Sequence, residues 1–360
     1  MISIEDVIAF FRKNNPDKSI STYTTMKYNI IRLQKITEKD IDDLNIDDLS
    51  DTNFIEKQLE HYALNTKIQS ILGIKLFLKY KKSDKNLIEK YNDILKEYIQ
   101  LNKDQIDKNE MTYNESKNWI DYKDLIEKYN NYYENNFLND YEIIEETGNN
   151  YSRYNFIRNF LLLSLFIELP PTRIGNYQFM KIKLKKKRNG TSLNKDYNYL
   201  MINDIKKEKP NYSLVFNKYK TSRVLGQVTH DIEKNSKLEK IISMYIIKRN
   251  NFINNKTNNS FLLAKDKTNM TQSNITDTLK YVSRKIINKE LSANLFRHIF
   301  LTYFFQKNIS IEEKKHIARF IGQTYEPSMM EKYKRIKHTE REPINIINEK
   351  KTNDLIVSFD

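Results

Sequence analysis

The chain has no cysteine and only six glycines, six prolines, five histidines and one tryptophan in 360 residues. Without cysteine there can be no disulfide framework, zinc ribbon or thiol nucleophile, and a reducing compartment suits the chain. So few glycines leave no Walker loop and no dinucleotide fingerprint. His61, His230, His298, His316 and His338 show no metal-ligand spacing, so no metal and no cofactor are expected. The most apolar stretch, Phe160 to Ile167, is far shorter than the roughly 20 residues of a bilayer span. The opening Met-Ile-Ser-Ile-Glu-Asp lacks the basic-then-apolar pattern of a signal peptide. The expectation is a soluble intracellular protein with no membrane partner.

Positive charge is abundant. Lys and Arg number 61 against 47 Asp and Glu, a net charge of +14, with a pI of about 9.3. Such a balance points to a polyanionic partner, most simply nucleic acid. The wealth of Asn, Ile, Lys and Tyr also fits AT-rich coding and a lysine-rich solvated surface, so charge alone does not decide.

The first hundred residues carry apolar positions at helical spacing. Ser3-x-x-Asp6 reads as a capping box opening a helix with Ile4, Val7, Ile8 and Phe11. A second helix begins near Ser21, and Ile55, Leu59 and Tyr62 mark a third. Ile68, Ile71, Leu72, Leu76 and Leu78 mark a fourth; Leu87, Tyr91, Ile94, Leu95 and Tyr98 mark a fifth. Asp42, Asp43, Asp47 and Asp48 read as a solvated turn rather than a metal loop. A polar stretch at 103–115 is expected to link this helical domain (1–102) to a second one (116–342), leaving a tail at 343–360. In the second domain Tyr151 to Glu168 predicts a buried core helix. From about Asn198 the period changes to short strand-like runs, Tyr199 to Asn203, Tyr212 to Asn217 and Val224 to Thr229, which predict a small antiparallel sheet with Lys218 and Lys220 near a hairpin. Helices resume over 236–250, 271–288, 292–306 and 311–320. The fold class is mainly α with this small sheet.

Four short segments of that second domain stand out, in order. They are Leu169-Pro-Pro-Thr-Arg173-Ile-Gly-Asn176, Asn217-Lys-Tyr-Lys220-Thr, Asn294-Leu-Phe-Arg297-His298, and Ile321-Gly-Gln323 followed by Glu331-Lys-Tyr333-Lys-Arg. Their order resembles the tyrosine recombinases, the phage integrase family, which read Arg, Lys, His-x-x-Arg, Gly-His or Gly-Trp, then a nucleophilic Tyr. The resemblance covers roughly 115–340 and, more loosely, the helices before it. Asn294 stands where the family has His, Gln323 where it has His or Trp, and Asn176 where it has an acid.

The resemblance implies a two-domain clamp on double-stranded DNA, a helical core-binding domain with a mixed catalytic domain. Arg173 and Arg297 would hold the scissile phosphate, since a guanidinium forks onto two oxygens and is always charged. Lys220 would protonate the 5′ oxygen, with Lys218 as its rival; Asn294 and Gln323 would donate hydrogen bonds. Tyr333 would form a 3′-phosphotyrosine intermediate, with Tyr325 treated as structural. His298, about 100° round the helix from Arg297, reads as structural. Self-association on DNA, as a tetramer at synapsis, and a viral or mobile-element lineage follow from the same resemblance. Two alternatives stay open: a type IB topoisomerase, and a catalytically decayed DNA-binding protein, which the Asn294 and Gln323 departures favour.

Overall fold

In the computed structural model, residues 2–109, 111–185, 193–203, 211–253, 258–307, 309–325 and 335 are described. They fall into two units, Met1–Lys108 and Asn109–His338. The first is all helical. Helix α1 (Ile4–Asn14) opens on the capping box expected from Ser3 and Asp6: the Ser3 hydroxyl accepts from the Asp6 N–H, and the Asp6 carboxylate accepts from the Ser3 N–H. Helices α2 (Ile20–Thr37), α3 (Thr52–Leu59) and α5 (Lys85–Asp107) are each capped by a side chain, from Ser19, Asp51 and Asp84. Between α3 and α5 runs α4 (Leu64–Tyr80), which buries Ile71, Ile74, Phe77 and Leu78 completely. The acidic stretch is a turn, as expected: Asp48 accepts from Lys39 at 2.7 Å and from the Asn45 N–H. Buried Tyr91 ties α5 to this turn by donating to the Leu49 carbonyl at 2.8 Å.

The polar stretch read as a linker is not loop throughout. Helix α5 continues to Asp107, and Tyr113–Asn118 forms α6. Gln and Lys are good helix formers, and Gln100 donates to Asp104 one turn on at 2.8 Å. Polarity alone therefore misplaced the boundary between helix and loop.

The second unit continues with α7 (Tyr122–Tyr132), a single π-helical turn at Tyr133–Phe137, α8 (Leu138–Thr147) and α9 (Asn150–Ile167). Eleven residues of α9 are buried, Phe160 to Ile167 without a break, so its second half is enclosed on every side within the core. A four-residue turn, α10 (Gly175–Gln178), leads into β1 (Met180–Leu184), β2 (Asn198–Asn203) and β3 (Asn211–Phe216). A second short turn, α11 (Ser222–Leu225), precedes β4 (Val228–Asp231), and α12 (Lys237–Ile253), α13 (Gln272–Ile287), α14 (Ala293–Phe305) and α15 (Ile311–Phe320) follow.

The four strands lie in sequence order, but the sheet is mixed rather than antiparallel. β1 pairs with β2 in parallel; the other two pairings are antiparallel. A connection of about a dozen residues between β1 and β2 is long enough for the crossover that a parallel pair needs. β1 is the first half of the lysine run at 181–188, whose last three residues lie outside the described ones. Its outer edge is covered, with Ile182 N–H donating to Asn259 and Phe261 N–H to Met180. Buried Arg158 and Arg249 hold that covering segment by donating to the carbonyls of Leu263, and of Ser260 and Asn258. The third strand-like run also starts later than expected, because Val224 and Leu225 sit in the α11 turn.

Gly73 marks the closest approach of α4 to α2. A Cβ there would lie 2.9 Å from the Asn29 carbonyl oxygen and Cβ. Alanine is intrinsically the better helix former by about 1 kcal/mol. Gly73→Ala is nevertheless expected to destabilise, because the neighbour that must move is backbone; overpacking of this kind costs about 1–3 kcal/mol. Urea unfolding of the two proteins decides the sign, and a more stable alanine variant would contradict the packing argument.

Candidate active site

Arg173 follows the two prolines that end α9. Thr172 is fully buried, and α10 starts only at Gly175 with no side-chain cap, so Arg173 lies just before the helix. Its Nη1 donates to the carbonyl of Gly322 at 3.1 Å. From the sequence, residue 176 was the position of an orienting partner, but in the fold the carbonyl of Gly322 holds the guanidinium.

Gly322 is shaped for this. Beyond α15 the Gly322 N–H donates to the Arg319 carbonyl and the Gln323 N–H to the Ala318 carbonyl, a Schellman ending. Its φ of +71° is the left-handed conformation that glycine adopts without strain, and a Cβ would meet the Tyr219 ring at 3.0 Å. The same carbonyl accepts from Thr221 Oγ1 at 2.7 Å.

Lys218 and Lys220 thus occupy a turn rather than a strand, since β3 ends at Phe216. The argument that residues two apart share one face of a strand does not apply to them. Both are exposed, and the turn between them is fixed by Tyr219, whose hydroxyl donates to the Gly226 carbonyl at 2.7 Å. Burial pushes the Tyr219 phenol above its ordinary pKa, against the opposing pull of Arg319.

Arg173, Lys218, Lys220 and Asn294 wall one open cleft, together with Gly175, Gln272 and Thr276. Asn294 is exposed in the first turn of α14, whose N-terminus Ser292 caps through the Leu295 N–H. Among the described residues that wall the cleft there are three cations and no carboxylate. Such a wall attracts an anion. Arg297 and Gln323 are not wall residues. Arg297 is only 1% exposed, one turn beyond Asn294 between Leu295, Phe296, Ile299 and Phe300; Gln323 is 8% exposed. Burying a guanidinium among such neighbours is costly unless its donors are engaged. Tyr333 lies outside the described residues, so its placement relative to the cleft is not part of this geometry. Tyr325 is partly buried and packs on the core.

Arg335, two positions after Tyr333, is described and firmly held. Its backbone N–H donates to Thr302 Oγ1 at 3.0 Å, its Nε lies 3.3 Å from Glu115 Oε1, and its Nη2 is 3.0 Å from His298 Nε2. A guanidinium can only donate, so His298 Nε2 must be the unprotonated acceptor nitrogen, with the proton on Nδ1. The 3.7 Å approach of His298 to Glu115 is then no ion pair. Thus His298 is engaged by Arg335, and Arg335 is a paired cation. Glu115 and Asn198, discussed below, were missed in the sequence; the Thr112-x-x-Glu115 spacing of a capping box could have flagged the first, whereas Asn198 belongs to no recognisable motif.

A structure of XerH site-specific recombinase bound to difH substrate, a pre-cleavage complex, matches 92% of this chain and 82% of its own, with TM-score 0.51 and 13% identity. The chain has the tyrosine recombinase fold. A XerA recombinase structure matches 92% and 93% of the two chains at 13% identity, with TM-score 0.34. No protein-family model and no curated protein matches the sequence. No helix among the described residues is long and apolar enough to cross a membrane.

The Glu115 cluster gives a pH test. Burial works to raise the Glu115 pKa, but the Thr112 N–H and the Arg335 guanidinium together bring it below the ordinary carboxylate value. A carboxylate with a depressed folded pKa stabilises fully above its unfolded pKa and loses that contribution as pH falls through the folded one. Glu115→Gln should therefore cost on the order of 1 kcal/mol at neutral pH, and that cost should vanish at an acid pH below the folded pKa of Glu115. Urea melts at the two pH values measure it; an equal cost at both would assign the effect to packing.

Proposed function

We propose that the chain is a site-specific DNA recombinase that cuts and rejoins duplex DNA through a 3′-phosphotyrosine. The supporting observation is the cleft that gathers Arg173, Lys218, Lys220 and Asn294 from three distant segments within this fold, with no carboxylate among the described residues that wall it. In this reading the Tyr333 hydroxyl gives up its proton to water, its oxygen attacks the phosphorus, and the bond to the 5′ oxygen breaks. Lys220 gives that leaving oxygen its proton, with Lys218 as the alternative donor. Arg173 and Arg297 neutralise the extra charge of the pentacovalent state, and the amides of Asn294 and Gln323 add hydrogen bonds. Attack by a second 5′ hydroxyl reverses the chemistry, so the bond energy is conserved and neither metal nor nucleotide is consumed. Exchange of four strands takes four such sites, so the working assembly is a tetramer on two duplexes. The helical first unit adds contacts to the DNA backbone, which would make binding weaken with salt.

A duplex bound by the protein can be recovered from a randomised pool by gel shift and then nicked at successive positions. A nick next to the scissile phosphate lets the cut fragment diffuse away and traps the covalent adduct. The native protein should give an adduct on denaturing gels, while Tyr333→Phe binds equally well and gives none. An adduct with Tyr333→Phe would move the nucleophile to another tyrosine, Tyr325 first. Binding without any adduct by the native protein would favour the decayed, architectural alternative.

The proton donor has its own test. With sulfur in place of the bridging 5′ oxygen, the leaving thiolate needs no proton. Lys220→Ala should cut the ordinary duplex roughly 100-fold or more slowly than the native protein, and the sulfur duplex almost as fast. The same rescue of Lys218→Ala instead would transfer the role to Lys218.

A further inference from the structure

Asn198 opens β2 on the strand face that also carries Leu200 and Ile202 into the core, and it is 3% exposed. An amide at such a position is tolerated only when its hydrogen-bonding capacity is met. Here all of it is. Oδ1 accepts from the backbone N–H groups of Asn217 and Lys218, both at 2.8 Å. Nδ2 donates to the carbonyls of Asn176 at 2.7 Å and Lys218 at 3.0 Å. Two acceptor sites and two hydrogens are the whole inventory of a side-chain amide.

The partners are what give this residue a role. Asn176 lies three residues after Arg173, and its carbonyl is the only contact of the four on that segment. The other three grip Lys218 on both sides of its Cα and the peptide before it. The lysine-bearing turn is thus moored at two points, at 217–218 by Asn198 and at Thr221 by the Gly322 carbonyl, which also receives Arg173. We propose that Asn198 is a positioning residue, which holds the lysine turn in register with Arg173 so that the proton donor and the phosphate clamp meet at one phosphate. An aliphatic side chain could fill the same core position but would leave two N–H groups and two carbonyls without a partner, and would detach the turn from the arginine segment at that end. The inference rests on the recombinase reading above.

A residue acting through the lysine should share the lysine's chemical signature. On the selected nicked duplex, Asn198→Ala should bind DNA as tightly as the native protein yet form adduct roughly 30- to 100-fold more slowly, the scale set by lost general-acid catalysis and misplacement. On the duplex with bridging 5′ sulfur its rate should return to within about threefold of the native protein, because no proton is needed. Asn198→Asp has the same size but turns an acceptor towards the carbonyls of Asn176 and Lys218, so it should show the same split. It carries the test if the alanine variant gives no cooperative melt. Equal slowing on both duplexes, or no slowing on either, would overturn the positioning role while the native protein still forms adduct. Absence of adduct with the native protein on both duplexes would instead remove the recombinase reading, and this inference with it.

Discussion

One carbonyl group organises the cleft. At Gly322 the chain leaves α15 in a left-handed turn, and its oxygen receives both the Arg173 guanidinium and the Thr221 hydroxyl. These residues are 149 and 101 positions away. No local propensity could bring them together. What does so is the packing that buries Ala318, Phe320 and Ile321 and so fixes where α15 ends. Any side chain at 322 would collide with the Tyr219 ring, which belongs to the lysine turn itself. Glycine here serves the turn's conformation and the close approach at once.

The helices were legible because their signals are local. Ser3 with Asp6, Thr112 with Glu115 and Ser310 with Glu313 all form reciprocal caps, and the first was read directly from its spacing. The apolar density of 151–168 announced α9 for the same reason. The sheet was harder. Its strands β2 and β3 follow the expected runs, but the parallel pairing of β1 depends on a crossover, and nothing within a lysine-rich run announces a partner. The start of β4 was misplaced because Val224 and Leu225 have strand-like side chains in a helical turn, where tertiary context overrides a weak preference. The end of α5 was misplaced for the opposite reason: polar residues were read as loop although they are at ease in an exposed helix.

The cleft was legible only in part. Arg173, Lys218, Lys220 and Asn294 were singled out by type and order, and they wall one cleft, whereas Arg297 and Gln323, singled out with them, are buried off it. The support of the cleft was not visible. Asn198 is one polar residue at the head of an apolar run, and it acts through backbone groups of Asn176, Asn217 and Lys218, which composition and spacing do not encode. The same separation explains how 13% identity can accompany a shared fold with XerH. Core packing asks for apolar volume at the right period, and many sequences supply it.

The departures from the family pattern can be weighed by the same physics. Histidine at position 294 or 323 could both donate a hydrogen bond and move a proton; asparagine and glutamine can do only the first. If catalysis by this chain depended on a proton shuttle there, both substitutions would be disabling. Under the proposed mechanism the phenol proton leaves to water, and the leaving oxygen takes its proton from a lysine, of which the cleft holds two. The remaining demand is charge neutralisation, which arginine meets at any physiological pH. His298, the nearest candidate for a replacement base, is committed to Arg335 through the nitrogen that would have to accept the proton. The site is therefore chemically consistent as a set of donors with one protonated lysine as the acid, and it asks of Asn294 and Gln323 only what an amide can give.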